Sequence, residues 1–243
     1  MGEAPGKAAA EANSLSLGLD LGLTLIDTAE MYGSGGAERI VAKAIAGRRE
    51  DVFLVSKVLP YHATTAGTKQ ACEQSLKRLR TDRIDLYLLH WRGSVPFTET
   101  LEGFRRLERD GKIRYHGVSN FDRRDLEAWS ALDGGSTVAA DQVLYNLATR
   151  GVEWDLVPWC RERGVAIMAY TPLGQGGMLG NRTLGELARR RGASPAQVAL
   201  AWLLRQEGTI VIPKAARPEH MRENCGALDL ELAAEDVAAL DSA

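Results

Sequence analysis

Short apolar, β-branched segments alternate along this chain with segments of helical periodicity. The apolar segments predict seven strands, at residues 24–28, 52–56, 84–89, 113–118, 139–144, 165–169 and 210–212. Several of them are apolar at consecutive positions, which is typical of parallel strands that are buried on both faces. The intervening helical segments have the length of right-handed crossovers between such strands. The pattern therefore predicts an α/β fold.

The helices are predicted from apolar spacing and from residues that begin or end a helix. One helix covers residues 37–46, and a second begins at residues 94–96 and runs to about residue 110, where Gly111 ends it. Ser194 and Pro195 begin a helix over residues 196–206, and residues 233–240 form an amphipathic tail. No repeat or linker interrupts the series, so residues 1–243 are predicted to form a single domain.

Composition points to a small-molecule partner rather than to nucleic acid or a membrane. The 243 residues carry a formal net charge of −2, with 26% charged and 45% hydrophobic residues. No apolar run is long enough to span a bilayer and the start lacks the pattern of a signal peptide, so we expect a cytoplasmic protein. The three cysteines, an odd and scattered set, fit reduced thiols, and the four histidines lack metal-ligand spacing, so no metal is expected.

Polar side chains follow nearly every predicted strand. In order along the chain they are Asp27, Lys57, His90, Ser119 with Asn120, Gln142 with Asn146, Tyr170 and Lys214. The carboxyl ends of parallel strands face the active-site mouth in barrels and open sheets alike. One or two such residues could be solvated strand ends, whereas a polar group after nearly every strand predicts a shared pocket.

Three of these residues, Asp27, Lys57 and His90, could together with Tyr32 donate a proton to a carbonyl oxygen. A tyrosine hydroxyl, with an ordinary pKa of about 10, needs nearby positive charge to act as an acid at neutral pH. Lys57 could supply that charge to Tyr32, and Asp27 could hold Lys57 in place. His90 could orient the carbonyl. An Asp–Lys pair alone is more often structural than catalytic, so the hypothesis depends on all four residues.

The sequence resembles the aldo-keto reductase family in four motifs that occur in the family's order and spacing. They are LIDTAEMYG at residues 25–33, VSK at 55–57, DLYLLHW at 85–91 and GVSNF at 117–121. Residues 88–94 and 141–146 further resemble bacterial methylglyoxal reductases of that family. The resemblance covers essentially the whole chain. It implies a (β/α)8 TIM-type barrel and reduction of small aldehydes or ketones with NADPH.

The resemblance also implies roles for individual residues. The catalytic tetrad would be Asp27, Tyr32, Lys57 and His90, and Trp91 would line the substrate pocket. The residues implied in cofactor binding are Ser119, Asn120 and Gln142 at the nicotinamide carboxamide, Tyr170 stacked on the nicotinamide ring, Leu173 and Gly174 along the pyrophosphate, Lys214 and His220 at the adenosine phosphate, and Glu223 and Asn224 near the adenine.

The chain departs from the family pattern in four places. Residues 8–19 already resemble the helix that follows the family's first strand, so we expect an incomplete barrel without that strand. The family's C-terminal tail also has little counterpart in this sequence. Ala215 and Ala216 stand where a serine is common. His220 stands where an arginine usually binds the 2′-phosphate of NADPH, so NADH is an alternative cofactor.

Two classes of function follow from these observations. The intact tetrad favours a reductase. The missing strand favours a cofactor-binding regulatory barrel, as a resemblance to potassium-channel β subunits would allow, or a catalytically impaired truncated barrel. The sequence leaves the physiological substrate and the oligomeric state open.

Overall fold

A computed structural model describes residues Met1 to Ser242. Its strands are β1 (Leu25–Asp27), β2 (Phe53–Val58), β3 (Ile84–Leu89), β4 (Ile113–Ser119), β5 (Ala140–Leu144), β6 (Ala166–Tyr170) and β7 (Thr209–Val211). Its α-helices are α1 (Ala8–Asp20), α2 (Gly36–Ala44), α3 (Thr65–Leu79), α4 (Phe97–Arg109), α5 (Arg123–Ser130), α6 (Leu156–Arg163), α7 (Arg182–Arg191), α8 (Pro195–Leu204), α9 (Pro218–Cys225) and α10 (Ala234–Asp241).

The strands form one seven-stranded sheet in which their order follows the chain, β1 to β7. The pairs β1–β2, β2–β3, β3–β4 and β6–β7 are parallel. All seven predicted strands are therefore confirmed, as is the α/β barrel type of fold with one strand fewer than eight. Both ends of β3 lie where they were predicted, and the other strand ends differ from the prediction by at most two residues. The largest difference is in β2, which continues through Lys57 to Val58, two residues beyond the predicted end at residue 56.

The chain resolves into two compact units, and the boundary falls inside β5. The first unit, Met1–Asp141, holds β1 to β4 with α1 to α5. In its core, Leu54, Val55 and Leu88 on β2 and β3 have no exposed surface. Such complete burial accounts for the uninterrupted apolar runs that predicted these strands. The expectation of a single domain stays a prediction.

The second unit, Gln142–Ala243, holds β6, β7 and α6 to α10. Its central helix α8 begins as the sequence predicts: Ser194 accepts a hydrogen bond from the Gln197 N–H, Gln197 accepts one from the Ser194 N–H, and Pro195 occupies the first turn. Trp202 of α8 is fully buried. Trp154, which lies between the 3₁₀ turn at Gly151–Glu153 and α6, is 88% exposed.

The following statements concern the described residues, Met1 to Ser242. None of the helices there has the length and apolar character needed to cross a membrane. Cys72, Cys160 and Cys225 are free thiols. Within the same residues, no group of three or more histidine, cysteine or acidic side chains is arranged to hold a metal ion.

Candidate active site

Lys57 lies at the centre of a cluster of polar groups in the first unit. It is fully buried on β2, and its Nζ donates hydrogen bonds to both carboxylate oxygens of Asp27, at 2.8 and 2.7 Å, and to the Thr28 carbonyl oxygen at 2.8 Å. The parallel register pairs Asp27 with Val55, two residues before Lys57. A buried ammonium is tolerated only when it is paired and hydrogen-bonded in this way. The contacts therefore hold a positive charge inside the protein.

Tyr32 places its hydroxyl next to that charge. The distance from Lys57 Nζ to Tyr32 Oη is 3.4 Å, and Nζ lies 4.9 Å from the centre of the tyrosine ring. The loop after β1 carries Tyr32, and the chain then turns through Gly33, Ser34 and Gly35, which have φ of 56°, 50° and 78°. Glycine adopts these left-handed values at little cost, so the GSG sequence lets the chain reverse into α2 directly after the tyrosine.

His90 directly follows β3 and faces Tyr32. The two rings meet edge to face, with centroids 5.6 Å apart, and His90 also contacts Trp91 at 4.8 Å between ring centres. Burial, with the positive charge of Lys57 as a second cause, lowers the pKa of His90 from 6.5 to about 4. The imidazole is therefore neutral near pH 7 and carries one N–H donor.

Asn120, which follows β4, is hydrogen-bonded to the residue that follows β3. Its Nδ2 donates to the His90 carbonyl oxygen and to Ser119 Oγ, both at 3.1 Å. Asn120 has φ of 59°, in the left-handed region that asparagine tolerates better than most residues. The structure thus brings Ser119 and Asn120, predicted at the nicotinamide carboxamide, next to His90 of the predicted tetrad.

Gln142, Tyr170, Leu173 and Gly174 belong to the second unit. Gln142 is buried on β5, and Tyr170, at the end of β6, is partly exposed. Leu173 and Gly174 follow Tyr170 in a segment of unusual backbone, in which Thr171, Gly174, Gln175 and Gly176 all have positive φ. Gly174–Gly180 forms an irregular 3₁₀ segment, with non-helical residues at Gln175 and Gly176.

The predicted adenosine-phosphate residues lie around the start of α9. Lys214 and His220 are exposed, and Arg217 Nη2 lies 2.5 Å from His220 Nε2. Glu223 and Asn224 follow within the same helix, Asn224 being buried. The sequence prediction treated His220 as a weak replacement for an arginine. The structure adds that Arg217 lies against it, so a guanidinium is present at this place.

Sequence reasoning missed the role of Glu30. Its Oε1 accepts a hydrogen bond from the Leu59 N–H at 2.8 Å and lies 3.1 Å from His62 Nδ1. Glu30 thereby connects the loop that carries Tyr32 with the end of the strand that carries Lys57. No pattern in the sequence signals this contact, because it depends on the path of two loops.

Two buried polar atoms, one in the predicted tetrad and one on the residue after Asp27, have no hydrogen-bond partner among residues Met1 to Ser242. They are Thr28 Oγ1 and His90 Nδ1. Buried polar groups are normally hydrogen-bonded, so unpaired atoms beside a buried ammonium and a tyrosine hydroxyl are the chemistry expected where a polar ligand binds. The arrangement offers a proton on Tyr32, a fixed positive charge beside it and a neutral hydrogen-bonding imidazole.

The sequence is similar to those of known carbonyl reductases. The family described as "Aldo/keto reductase family" matches residues 5–243. Methylglyoxal reductase YeaE of Escherichia coli (strain K12) is 48% identical over 248 residues, covering 100% of this chain and 87% of that protein. Glyoxal reductase of Bacillus subtilis (strain 168) is 35% identical over 229 residues, covering 94% of this chain and 82% of that protein.

A solved structure is also closely similar. The aldo-keto reductase from Klebsiella pneumoniae in complex with NADPH has 48% sequence identity and a TM-score of 0.98, and the match covers 100% of this chain and 87% of that one.

Proposed function

Since this chain belongs to the aldo-keto reductase family, we propose that it reduces small 2-oxoaldehydes such as methylglyoxal to alcohols, with a hydride from NADPH and a proton from Tyr32. The observation that carries the proposal is the buried Lys57 ammonium, which contacts the Asp27 carboxylate and the Tyr32 hydroxyl at once. A charge held in this position serves proton transfer from the tyrosine. The substrate in this proposal is a small carbonyl compound. We propose the cytoplasm as the compartment in which the protein works.

The residues present fit NADPH by the chemistry of their donor groups. A nicotinamide carboxamide needs both donors and acceptors, which the hydroxyl of Ser119 and the amides of Asn120 and Gln142 provide. The phosphates need positive charge, which Lys214 and Arg217 provide on exposed side chains. Tyr170 offers a partly exposed aromatic ring for the nicotinamide. When bound, NADPH supplies the hydride that the carbonyl carbon accepts.

Tyr32 gives its hydroxyl proton to the carbonyl oxygen in this proposal, and the tyrosinate that remains is negatively charged. Lys57 Nζ faces that charge from 3.4 Å. Two opposite unit charges at that distance attract by about 5 kcal/mol at an effective dielectric constant of about 20. Asp27 and the Thr28 carbonyl keep Lys57 in place, so the stabilising charge is present before the proton moves.

His90 orients the carbonyl group as a neutral hydrogen-bond donor. Its low pKa keeps the imidazole uncharged near neutral pH, so it donates a hydrogen bond to the substrate oxygen without competing with Tyr32 for the role of acid. Trp91, in ring contact with His90, forms a wall beside the carbonyl.

The experiment that tests this function is NADPH oxidation measured with a panel of methylglyoxal, glyoxal, a simple aldehyde and a simple ketone, with NADH as a second cofactor. We expect many turnovers per protein molecule with the 2-oxoaldehydes. A cofactor-binding regulatory barrel would instead bind NADPH and show less than one turnover with every carbonyl. That outcome would refute the proposed function.

A further inference from the structure

Thr171 has a backbone conformation that a β-branched residue rarely adopts. Its φ is +51°, where the branched side chain crowds the backbone. Strain of this kind persists only where the surroundings hold it, and it concentrates at functional sites. Thr171 follows Tyr170 directly and lies shortly before Leu173 and Gly174, so it sits between two segments proposed to contact the cofactor.

Asn146, which follows β5, is the side chain that holds Thr171. It is 2% exposed, and its Nδ2 donates to the Thr171 carbonyl oxygen at 3.0 Å. Its Oδ1 accepts from the Ala148 N–H at 3.0 Å. Because the Ala148 N–H can only donate and the Thr171 carbonyl can only accept, the amide has one satisfactory orientation. The backbone of Asn146 is itself fixed by hydrogen bonds in both directions with Thr149.

The Thr171 carbonyl oxygen also joins the two cofactor segments. It accepts a second hydrogen bond, from the Gly174 N–H at 3.0 Å, and the Tyr145 N–H lies 3.5 Å from the Tyr170 carbonyl oxygen. One acceptor atom thus connects the loop after β5, the residue after Tyr170 and the turn at Gly174. Moving that carbonyl would displace both the tyrosine ring and the turn.

We propose that Asn146 is a positioning residue for NADPH: through the Thr171 carbonyl it holds the strained turn that sets the Tyr170 ring and the Leu173–Gly174 segment. The proposal rests on the proposed function, because these segments meet a cofactor only if the chain binds one. Asn146 itself makes no chemical step. Its effect is on how tightly, and in which geometry, the nicotinamide and pyrophosphate are held.

Asn146→Asp is the direct test, because it keeps the acceptor for the Ala148 N–H and replaces the donor with an oxygen that faces the Thr171 carbonyl. We expect the Kd for NADPH to rise about tenfold, as for loss of one buried hydrogen bond. Bound-cofactor fluorescence should also change because the tyrosine ring moves. Asn181→Asp is the matched control, since Asn181 accepts a hydrogen bond from the Leu184 N–H at the start of α7, which aspartate does equally well.

The strain supplies a second, independent readout. Glycine adopts the φ of Thr171 freely, so in Thr171→Gly the turn no longer needs to be held. We expect Asn146→Asp to raise the Kd by about threefold or less in that background, which is a measurable coupling between the two positions. A merely structural Asn146 would lower thermal stability, leave the Kd for NADPH unchanged and show no coupling.

The outcomes separate this proposal from the proposed function. If the parent chain neither binds NADPH nor reduces methylglyoxal, both fail. If the parent binds and turns over while Asn146→Asp has the parent's Kd and fluorescence, the positioning role is overturned and the function stands. Should Asn146→Asp not fold, Asn146→Ala is measured in its place, because it removes the donor without placing a second oxygen against the Thr171 carbonyl. A Kd for NADPH about tenfold above the parent's supports the proposal, and a folded Asn146→Ala variant with the parent's Kd overturns it.

Discussion

His90 should make the folded protein progressively less stable as the pH falls below about 6.5. His90 is 8% exposed, and burial, with the positive charge of Lys57 as a second cause, lowers its pKa from 6.5 to about 4. Between pH 6.5 and about pH 4, the imidazole of His90 is protonated in the unfolded chain and neutral in the folded chain. The contribution to stability is therefore fully present above pH 6.5 and is lost as the pH falls toward 4.

The size of the effect follows from the pKa difference. Each unit corresponds to about 1.36 kcal/mol, so a shift from 6.5 to about 4 corresponds to roughly 3 kcal/mol of unfolding free energy. Carboxylates titrate over part of the same range. The informative quantity is consequently the difference between the parent and a His90→Gln variant, which has no ionisable group at that place.

Urea unfolding at several pH values between about 7 and 4.5 measures this difference. We expect the parent to lose stability relative to His90→Gln as the pH falls, by an amount approaching roughly 3 kcal/mol. An NMR titration of the imidazole, assigned by its absence in the variant, gives the pKa directly. An imidazole that titrates near its ordinary value, together with parallel stability curves, would refute the reasoning.

Three further predictions concern single side chains. Lys57→Met should lower kcat for carbonyl reduction by about 10²-fold or more, because no charge then stabilises the tyrosinate. A fluorescence titration should show nearly unchanged NADPH binding, and a variant with the parent's kcat would contradict the role of Lys57 in proton transfer. His220→Arg should raise the preference for NADPH over NADH tenfold or more, because it adds a charge-assisted hydrogen bond to the 2′-phosphate. If the ratio of the Kd for NADH to the Kd for NADPH stays unchanged, His220 does not lie at the 2′-phosphate. Cys72 is buried, and burial raises the pKa of its thiol to about 12, so it should react with a thiol reagent only when the protein unfolds. Rapid labelling of Cys72 in the native protein, mapped by mass spectrometry, would contradict its burial.

The sequence predicted the features that depend on local pattern. Strands β2 and β3 were found because parallel strands buried on both faces leave uninterrupted apolar runs. The start of α8 was found because Ser194 and Pro195 are strong helix-start signals. The rule that polar side chains gather at the carboxyl ends of parallel strands predicted that Asp27, Lys57 and His90 lie close together. Tyr32 was added from the chemistry that a proton donor needs.

The features that sequence reasoning did not supply depend on the paths of loops. Glu30 contacts the Leu59 N–H and Asn146 contacts the Thr171 carbonyl, and neither contact has a periodic or composition signal. The contact between Arg217 and His220 arises from a three-residue spacing at the start of α9, which becomes meaningful only once the helix is placed.

The central claim is that Tyr32 donates the proton, and its most direct test compares Tyr32→Phe with the parent in steady-state oxidation of NADPH by methylglyoxal. Tyr61→Phe is the matched control, because Tyr61 is 68% exposed and has no role in the proposed chemistry. We expect Tyr32→Phe to lose about 10²–10⁴-fold in kcat while its Kd for NADPH stays close to the parent's, and Tyr61→Phe to match the parent. A Tyr32→Phe variant that turns over at the parent's rate would contradict the account.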